Sequence, residues 1–162
     1  MDGSFTPIDD GHCIACGPLS EAGLKMAFVV EADESVSSRV VVPQLFAGWQ
    51  GVTHGGIVAL LLDEAMAYAA GARGVLGVTG EMKMRFRHPV PIGEPLTVRG
   101  AVRWQRRGVL SIEASVSDAN GKALASGVGS FVSRGNLAPG ERFARLTAPQ
   151  GGARASARGQ AP

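Results

Sequence analysis

The sequence predicts an α+β fold: one long central helix wrapped by a curved antiparallel sheet of five to six strands. Three observations lead there. From Ala59 to Ala70 the chain is dominated by Ala, Leu and Met, with no Pro or Gly before Gly71, the composition of a helix of about four turns. Elsewhere between Leu24 and Ser133 apolar residues recur in short runs bounded by Gly, Pro and Asn-Gly, the pattern of strands and hairpins. One helix among several antiparallel strands is most economically satisfied by laying it on one face of a single curved sheet.

In order, residues 1–11 read as a flexible lead-in. His12-Cys13-Ile14-Ala15-Cys16-Gly17 follows. A C-x-x-C pair is half of a zinc site or a redox pair, but a structural zinc needs four ligands and no second C-x-x-C or His pair follows. The pair is therefore read as a structural turn, with a metal shared across a dimer as the minor alternative, and no metal site is assigned. Leu24, Met26, Phe28 and Val30 alternate onto one face of a first strand, and Val36 to Val42 is a second. The helix comes next, with Gly71 placed as its C-cap. From Leu76 to Arg87, Met82, Met84 and Phe86 face one way while Glu81, Lys83, Arg85 and Arg87 face the other; Pro89 and Pro91 end that strand. Leu96 to Gln105, Val109 to Asp118 and Lys122 to Ser133 give three more, the last two joined at Asn120-Gly121, a strong hairpin signal. The domain is placed at residues 1–135. From 136 to 162 Pro, Gly, Ala, Gln and Arg displace the periodic apolar residues, which reads as a disordered tail of mild basic character.

At 162 residues the chain makes one domain plus tails, burying about two-thirds of its unfolded surface. Its 45% apolar content suits a globular protein. Asp63 and Glu64 interrupt the best apolar run, so no membrane span is expected. The opening MDGSFTPIDD is acidic and lacks the basic-then-apolar order of an export signal. With two cysteines and no such signal, a reducing, cytoplasmic location is expected. A net charge of +2, from scattered arginines, argues against a nucleic-acid partner.

The chemistry gathers around the helix. Gly55 and Gly56 fall where the first N–H groups of a helix lack internal partners and its dipole is positive. Without side chains there, a ligand oxygen can come close to the backbone, including one that becomes an anion during a reaction. His54 and Asp63 are nine residues apart, about half a rotation out of phase and ~13 Å along a helix. One chain cannot bring them together; two copies can.

Phe46, Gly48, Gly51, His54, Gly55, Gly56 and Asp63 fall in a spacing that closely resembles the hotdog-fold acyl-CoA thioesterases of the phenylacetate-pathway and mitochondrial types. The resemblance covers roughly Cys13 to Ser133, and relatives carry a similar Cys-rich opening before a Gly-Leu, here Gly23-Leu24. It implies the hotdog fold, a homodimer or homotetramer, and hydrolysis of an acyl- or aryl-acyl-CoA thioester to free acid and CoA, with no cofactor. Asp63 would be nucleophile or general base, with Glu64 its rival by position. Gly55 N–H of the opposite subunit would receive the thioester oxygen, Gly56 would serve close packing and substrate binding, and His54 would shape the turn and orient the carbonyl. Thr79, sixteen residues after the acid, would hold water or hydrogen-bond Asp63. It shares strand parity with Glu81, so it reaches the acid only if Gly80 bulges the strand. Some relatives carry Asn or Gln where this chain has Gly48; Gln50 is the substitute to consider. Arg87, Arg106, Arg107 and Gly108 would grip the phosphates of CoA, guanidinium groups suiting phosphate through paired hydrogen bonds. Leu45, Phe46, Trp49, Met66 and Tyr68 would line the acyl pocket. The rival readings are a hotdog module that binds acyl-CoA without turnover, a scaffold acting through the basic tail, and a hydratase-type enzyme. The last pairs its Asp with a His about five residues later, and no His stands there after Asp63.

Overall fold

The structure, a computed structural model, describes residues 10–138 and 146–147. β1 (Phe28–Val30) and β2 (Val36–Val41) form a hairpin, and a short pair, β3 (Ala47–Trp49) and β4 (Val52–Thr53), leads into α1 (Gly55–Ala72). β5 (Val75–Phe86), β6 (Pro95–Arg106), β7 (Val109–Ser117) and β8 (Ala123–Asn136) follow, with a two-residue β9 (Leu146–Thr147). The sheet runs β5-β8-β7-β6-β2-β1-β9. Its neighbours are antiparallel except for β1 beside β9. One helix on six curved antiparallel strands is the architecture that the alternation called for.

The core lies between α1 and the sheet. Val58, Leu61, Leu62, Ala65, Met66, Ala69 and Ala70 of the helix are buried, as are Val36, Val40, Leu96, Val98, Leu110, Ile112 and Phe131 of the strands. Glycines let the helix sit low. A Cβ on Gly100 would lie 2.2 Å from the Ala65 carbonyl oxygen, and one on Gly129 would lie 2.9 Å from Met66 Sδ. The middle of α1 therefore rests on bare backbone of β6 and β8.

Three local expectations change. α1 has 18 residues and a mean hydropathy of 1.3 over the window tested, so by length and composition alone it would pass for a membrane span. Its acids do not prevent that, but 56% of it is buried inside the fold, which accounts for its apolarity as core packing. Gly71 does not cap it. The helix runs on to Ala72, and Gly74, at φ +74°, takes the left-handed position beyond the C-cap Arg73. Its N–H reaches the Gly71 carbonyl at 2.9 Å; a chain reversal needs its left-handed residue just past the last turn, not within it. The first strand begins at Phe28 rather than Leu24, because Lys25 is left-handed (φ 54°) and the Met26 N–H bonds to Ala15 O at 2.9 Å. Residues 24–26 are tied to the cysteine turn instead of to a neighbouring strand.

Both later hairpins follow local chemistry. Asp118 Oδ1 accepts from the N–H groups of Asn120 and Lys122, each at 2.9 Å, with Gly121 at φ +80°. Arg107 and Gly108 are both left-handed (φ 51° and 76°), the geometry of a two-residue hairpin that matches strand twist. The stretch expected to be tail from 136 onward departs from that reading at β9, where Leu146, 7% exposed, and Thr147 pair with β1. The rest of it, 139–145 and 148–162, and most of the lead-in, 1–9, lie outside the described residues.

The Gly100 contact sets a stability test. Gly100→Ala has to push backbone apart and should cost about 2 kcal/mol or more, lowering Tm by roughly 5 °C or more. Gly74→Ala, with open space around its Cβ and only a left-handed φ to resist, should cost about 1 kcal/mol. Thermal melts of the two variants beside the parent check the order.

Candidate active site

The loop before α1 is anchored before the helix begins. Thr53 is buried, its N–H bonding Val90 O at 2.8 Å and its Oγ1 donating to Pro91 O at 3.3 Å, and the His54 N–H bonds Phe46 O at 2.9 Å. His54 is the N-cap. Its Nδ1 accepts from the Gly56 N–H at 3.0 Å, which puts the proton of the neutral ring on Nε2. The imidazole thus fills the role that Ser or Asp fills at most helix starts.

That arrangement separates the glycines by task. A Cβ on Gly48 would lie 2.9 Å from His54 Cα, and one on Gly56 would lie 3.1 Å from His54 Nδ1. Gly48 and Gly56 are therefore bare to make room for His54, and Gly56's N–H is already used. Gly55 differs. Around its Cβ position the nearest contact is Phe86 Cε1 at 4.0 Å, and its N–H meets no acceptor among the described residues. An amide at the positive end of an 18-residue helix that faces open space is a ready donor for an oxygen that gains negative charge.

Asp63 lies eight residues further on, half-buried on the side of α1 that meets β5. Thr79 Oγ1 donates to Asp63 Oδ1 at 2.6 Å. The register of β5 on β8 slips between Thr79, opposite Phe131, and Glu81, opposite Ser130. Gly80 is the extra residue, and the bulge turns Thr79 off the parity of Glu81 toward the helix. The hydroxyl occupies one carboxylate oxygen and leaves Oδ2 available. Glu64, the rival acid, faces elsewhere. It is 9% exposed, and its Oε1 and Oε2 each lie 3.9 Å from Cys13 Sγ. Burial, then a hydrogen bond to Glu64, push the Cys16 thiol well above its usual range. Sequence reading left the cysteines as a plain turn and missed this trio, because its members are 51 residues apart in the chain.

The other candidates scatter. Gln50 is exposed at the tip of the β3–β4 hairpin, beside Gly51 at φ +72°. Arg106, Arg107 and Gly108 are exposed at the β6–β7 turn, near the Thr79 end of the sheet. Arg87 lies just past the other end of β5, about 25 Å from Thr79 at strand rise. One protomer does not gather these arginines. Of the acyl-pocket residues, Met66 (0% exposed) and Tyr68 (3%) belong to the core, Tyr68 stacking on Phe28 with ring centroids 4.4 Å apart. They lie on the sheet-facing side of α1, which periodicity alone could not distinguish in a helix apolar on nearly every side. Leu45 (72%) and Trp49 (82%) are exposed. An open cavity of about 460 Å³ lies elsewhere, on the solvent side of the sheet, lined in part by Lys83, Arg85, Arg99, Glu113 and Val128.

A single helix embraced by its own sheet defines the hotdog fold. A thioesterase superfamily protein of known crystal structure superposes with a TM-score of 0.72 at 29% identity, over 75% of this chain and 60% of that one. Residues 50–125 match the family model of the thioesterase superfamily. A Saccharolobus solfataricus protein, whose name offers esterase as a provisional assignment, is 32% identical over 84 residues. That match spans 51% of this chain and 55% of the relative, so the chain covers little more than half of that protein's length. Acyl-coenzyme A thioesterase 13 of Mus musculus is 26% identical over 106 residues, 64% of this chain and 76% of that protein.

The cap bond of His54 can be tested apart from any activity. His54→Asn keeps a side-chain acceptor at the N-cap and should hold stability within a few tenths of a kcal/mol, whereas His54→Ala should lose about 1 kcal/mol. Urea denaturation of both variants measures the difference.

Proposed function

We propose that this protein is an acyl-CoA thioesterase whose site is shared by two copies of the chain. The observation that carries the reading is the placement of the open Gly55 amide and the Thr79-bound Asp63, ~12 Å apart along one rigid helix. Each is half of an acyl-transfer site. The acid needs an oxyanion donor, and the donor needs a nucleophile or base.

β5 supplies the means of joining them. It is 12 residues long and ends the sheet, with no strand on its outer side among the described residues. A long bare edge invites pairing with another strand, and a twofold dimer would pair it antiparallel with its own copy. Gly55 lies near Phe86, and Asp63 is bonded to Thr79. A register centred near Met82–Lys83 sets Phe86 of one protomer opposite Thr79 of the partner subunit. It thereby carries Gly55 toward Asp63 of the partner subunit. The same pairing brings Arg87 to the end of the joint sheet that holds the partner's Arg106 and the partner's Arg107, in keeping with a phosphate grip assembled from both chains.

In the reaction the thioester carbonyl oxygen accepts from the Gly55 N–H. Asp63, oriented by the Thr79 hydroxyl, attacks the carbonyl carbon or takes a proton from the water that does. Negative charge collects on the oxygen at the helix N-terminus and its collapse breaks the C–S bond. CoA leaves as the thiol, taking a proton that comes from water. The acyl group leaves as the free acid directly where water attacked, or after water hydrolyses the acyl–Asp63 anhydride where Asp63 did. The mouse relative's name, acyl-coenzyme A thioesterase 13, supports CoA as the carrier. Aromatic and medium-chain acyl groups are the first to test.

A second reading, binding without hydrolysis, rests on Gly48, where the crowding of His54 leaves no room for a side chain that would polarise the carbonyl. Tight acyl-CoA binding with no thiol release across a broad panel would favour it. Under the thioesterase reading, Asp63→Asn should lower kcat/KM by about a hundredfold or more with an unchanged circular dichroism spectrum. Thr79→Val should lower it by roughly tenfold. Thiol release from the variants measures both, and wild-type turnover by Asp63→Asn would place the chemistry elsewhere.

A further inference from the structure

The cysteine turn plays no part in the chemistry proposed above, yet it is firmly built. The Gly17 N–H bonds Cys13 O at 2.8 Å, and the N–H groups of Leu24 and Met26 bond Ile14 O and Ala15 O at 3.0 and 2.9 Å. A Cβ on Gly17 would lie 2.4 Å from Gly11 O, so the turn admits only glycine there. Lys25 Nζ donates to the carbonyls of Gly17 at 3.2 Å, of Pro18 at 2.9 Å and of Ser20. The loop is held in one shape, with both thiols presented to Glu64 on α1. One ligand atom from each of Cys13, Cys16 and Glu64 lies within 4.8 Å of the others.

We propose that Cys13, Cys16 and Glu64 bind one thiophilic divalent cation per chain, Zn²⁺ first among the candidates. Zinc takes thiolate at ~2.3 Å and carboxylate at ~2.0–2.2 Å in a tetrahedron, so two such ligands stand ~3.5 Å apart around it. The Cys13 Sγ to Glu64 oxygen distances of 3.9 Å are close to that before any ion draws them in. Two sulfurs select zinc, cobalt or cadmium over magnesium or calcium. Half-exposed Cys13 marks the side on which solvent supplies the fourth ligand. Consecutive helical residues point ~100° apart, so the ion lies away from the Asp63–Thr79 pair. It fastens residues 12–26 to the helix and does not enter the reaction.

The full-length chain, purified under reducing, anaerobic conditions and freed of metal by chelator, is titrated with Co²⁺ as a spectroscopic stand-in. One cobalt per chain is expected, with thiolate charge-transfer absorption in the near ultraviolet, strong visible bands of a tetrahedral ion, and displacement by Zn²⁺. Zn²⁺ should also raise Tm. Cys13→Ser should lose much of the charge-transfer intensity, and Glu64→Gln should weaken binding by at least about tenfold. If Glu64→Gln fails to fold, Cys13→Ser, which alters the least buried of the three, decides. A wild-type chain that shows no thiolate band in excess cobalt overturns the proposal. So does a folded Cys13→Ser chain with an unaltered spectrum.

Discussion

An α-helix does not bend back on itself, and that stiffness governs the site. Gly55 N–H and Asp63 are carried by the same helix, eight residues apart, and α1 is clamped along its length. The sheet glycines let it lie so low that a Cβ on Gly100 would strike the backbone of Ala65. With the helix fixed, neither group can move to the other. In the proposed dimer the edge of β5, bare among the described residues, is where a second copy attaches, and it runs past both groups.

The motif around His54 is better understood as packing than as a set of catalytic letters. The imidazole needs a cavity, and Gly48 and Gly56 provide it; in return Nδ1 satisfies one of the helix's otherwise unbonded amides. This leaves Gly55, the glycine with open space around it, as the free donor. One residue thus fixes the start of the helix and determines which amide remains available. The bulge at Gly80 does comparable work on the strand. A single extra residue rotates Thr79 onto the helix side, where its hydroxyl holds one oxygen of Asp63 and frees the other.

Local patterns made much of this legible in the sequence. Strand parity placed Met82 and Met84 inward, Asn120-Gly121 marked its hairpin, and the parity conflict at Thr79 pointed to Gly80 as the necessary bulge. What stayed hidden depends on contacts distant in sequence or on geometry within a turn. Gly71 and Gly74 are equally good helix terminators on paper, and only the last hydrogen bonds choose between them. Met66 and Tyr68 looked like pocket residues because a helix apolar on nearly every side does not show which side meets the sheet. Cys13 and Cys16 lacked a visible third partner because Glu64 comes from another element entirely.

Gly55 is the first residue of α1, a position where proline is well tolerated, and His54 before it is already extended (φ −58°, ψ 138°). Gly55→Pro therefore removes the amide hydrogen and leaves the helix in place. Mixing this variant with Asp63→Asn under conditions that exchange subunits tests the shared site most directly. Each alone should be nearly inactive, and each mixed dimer should hold one intact site and one doubly damaged one. Random exchange should then restore about a quarter of wild-type thioesterase activity. Mixtures that exchange subunits yet remain as inactive as their parents would show that Gly55 and Asp63 do not meet across two chains.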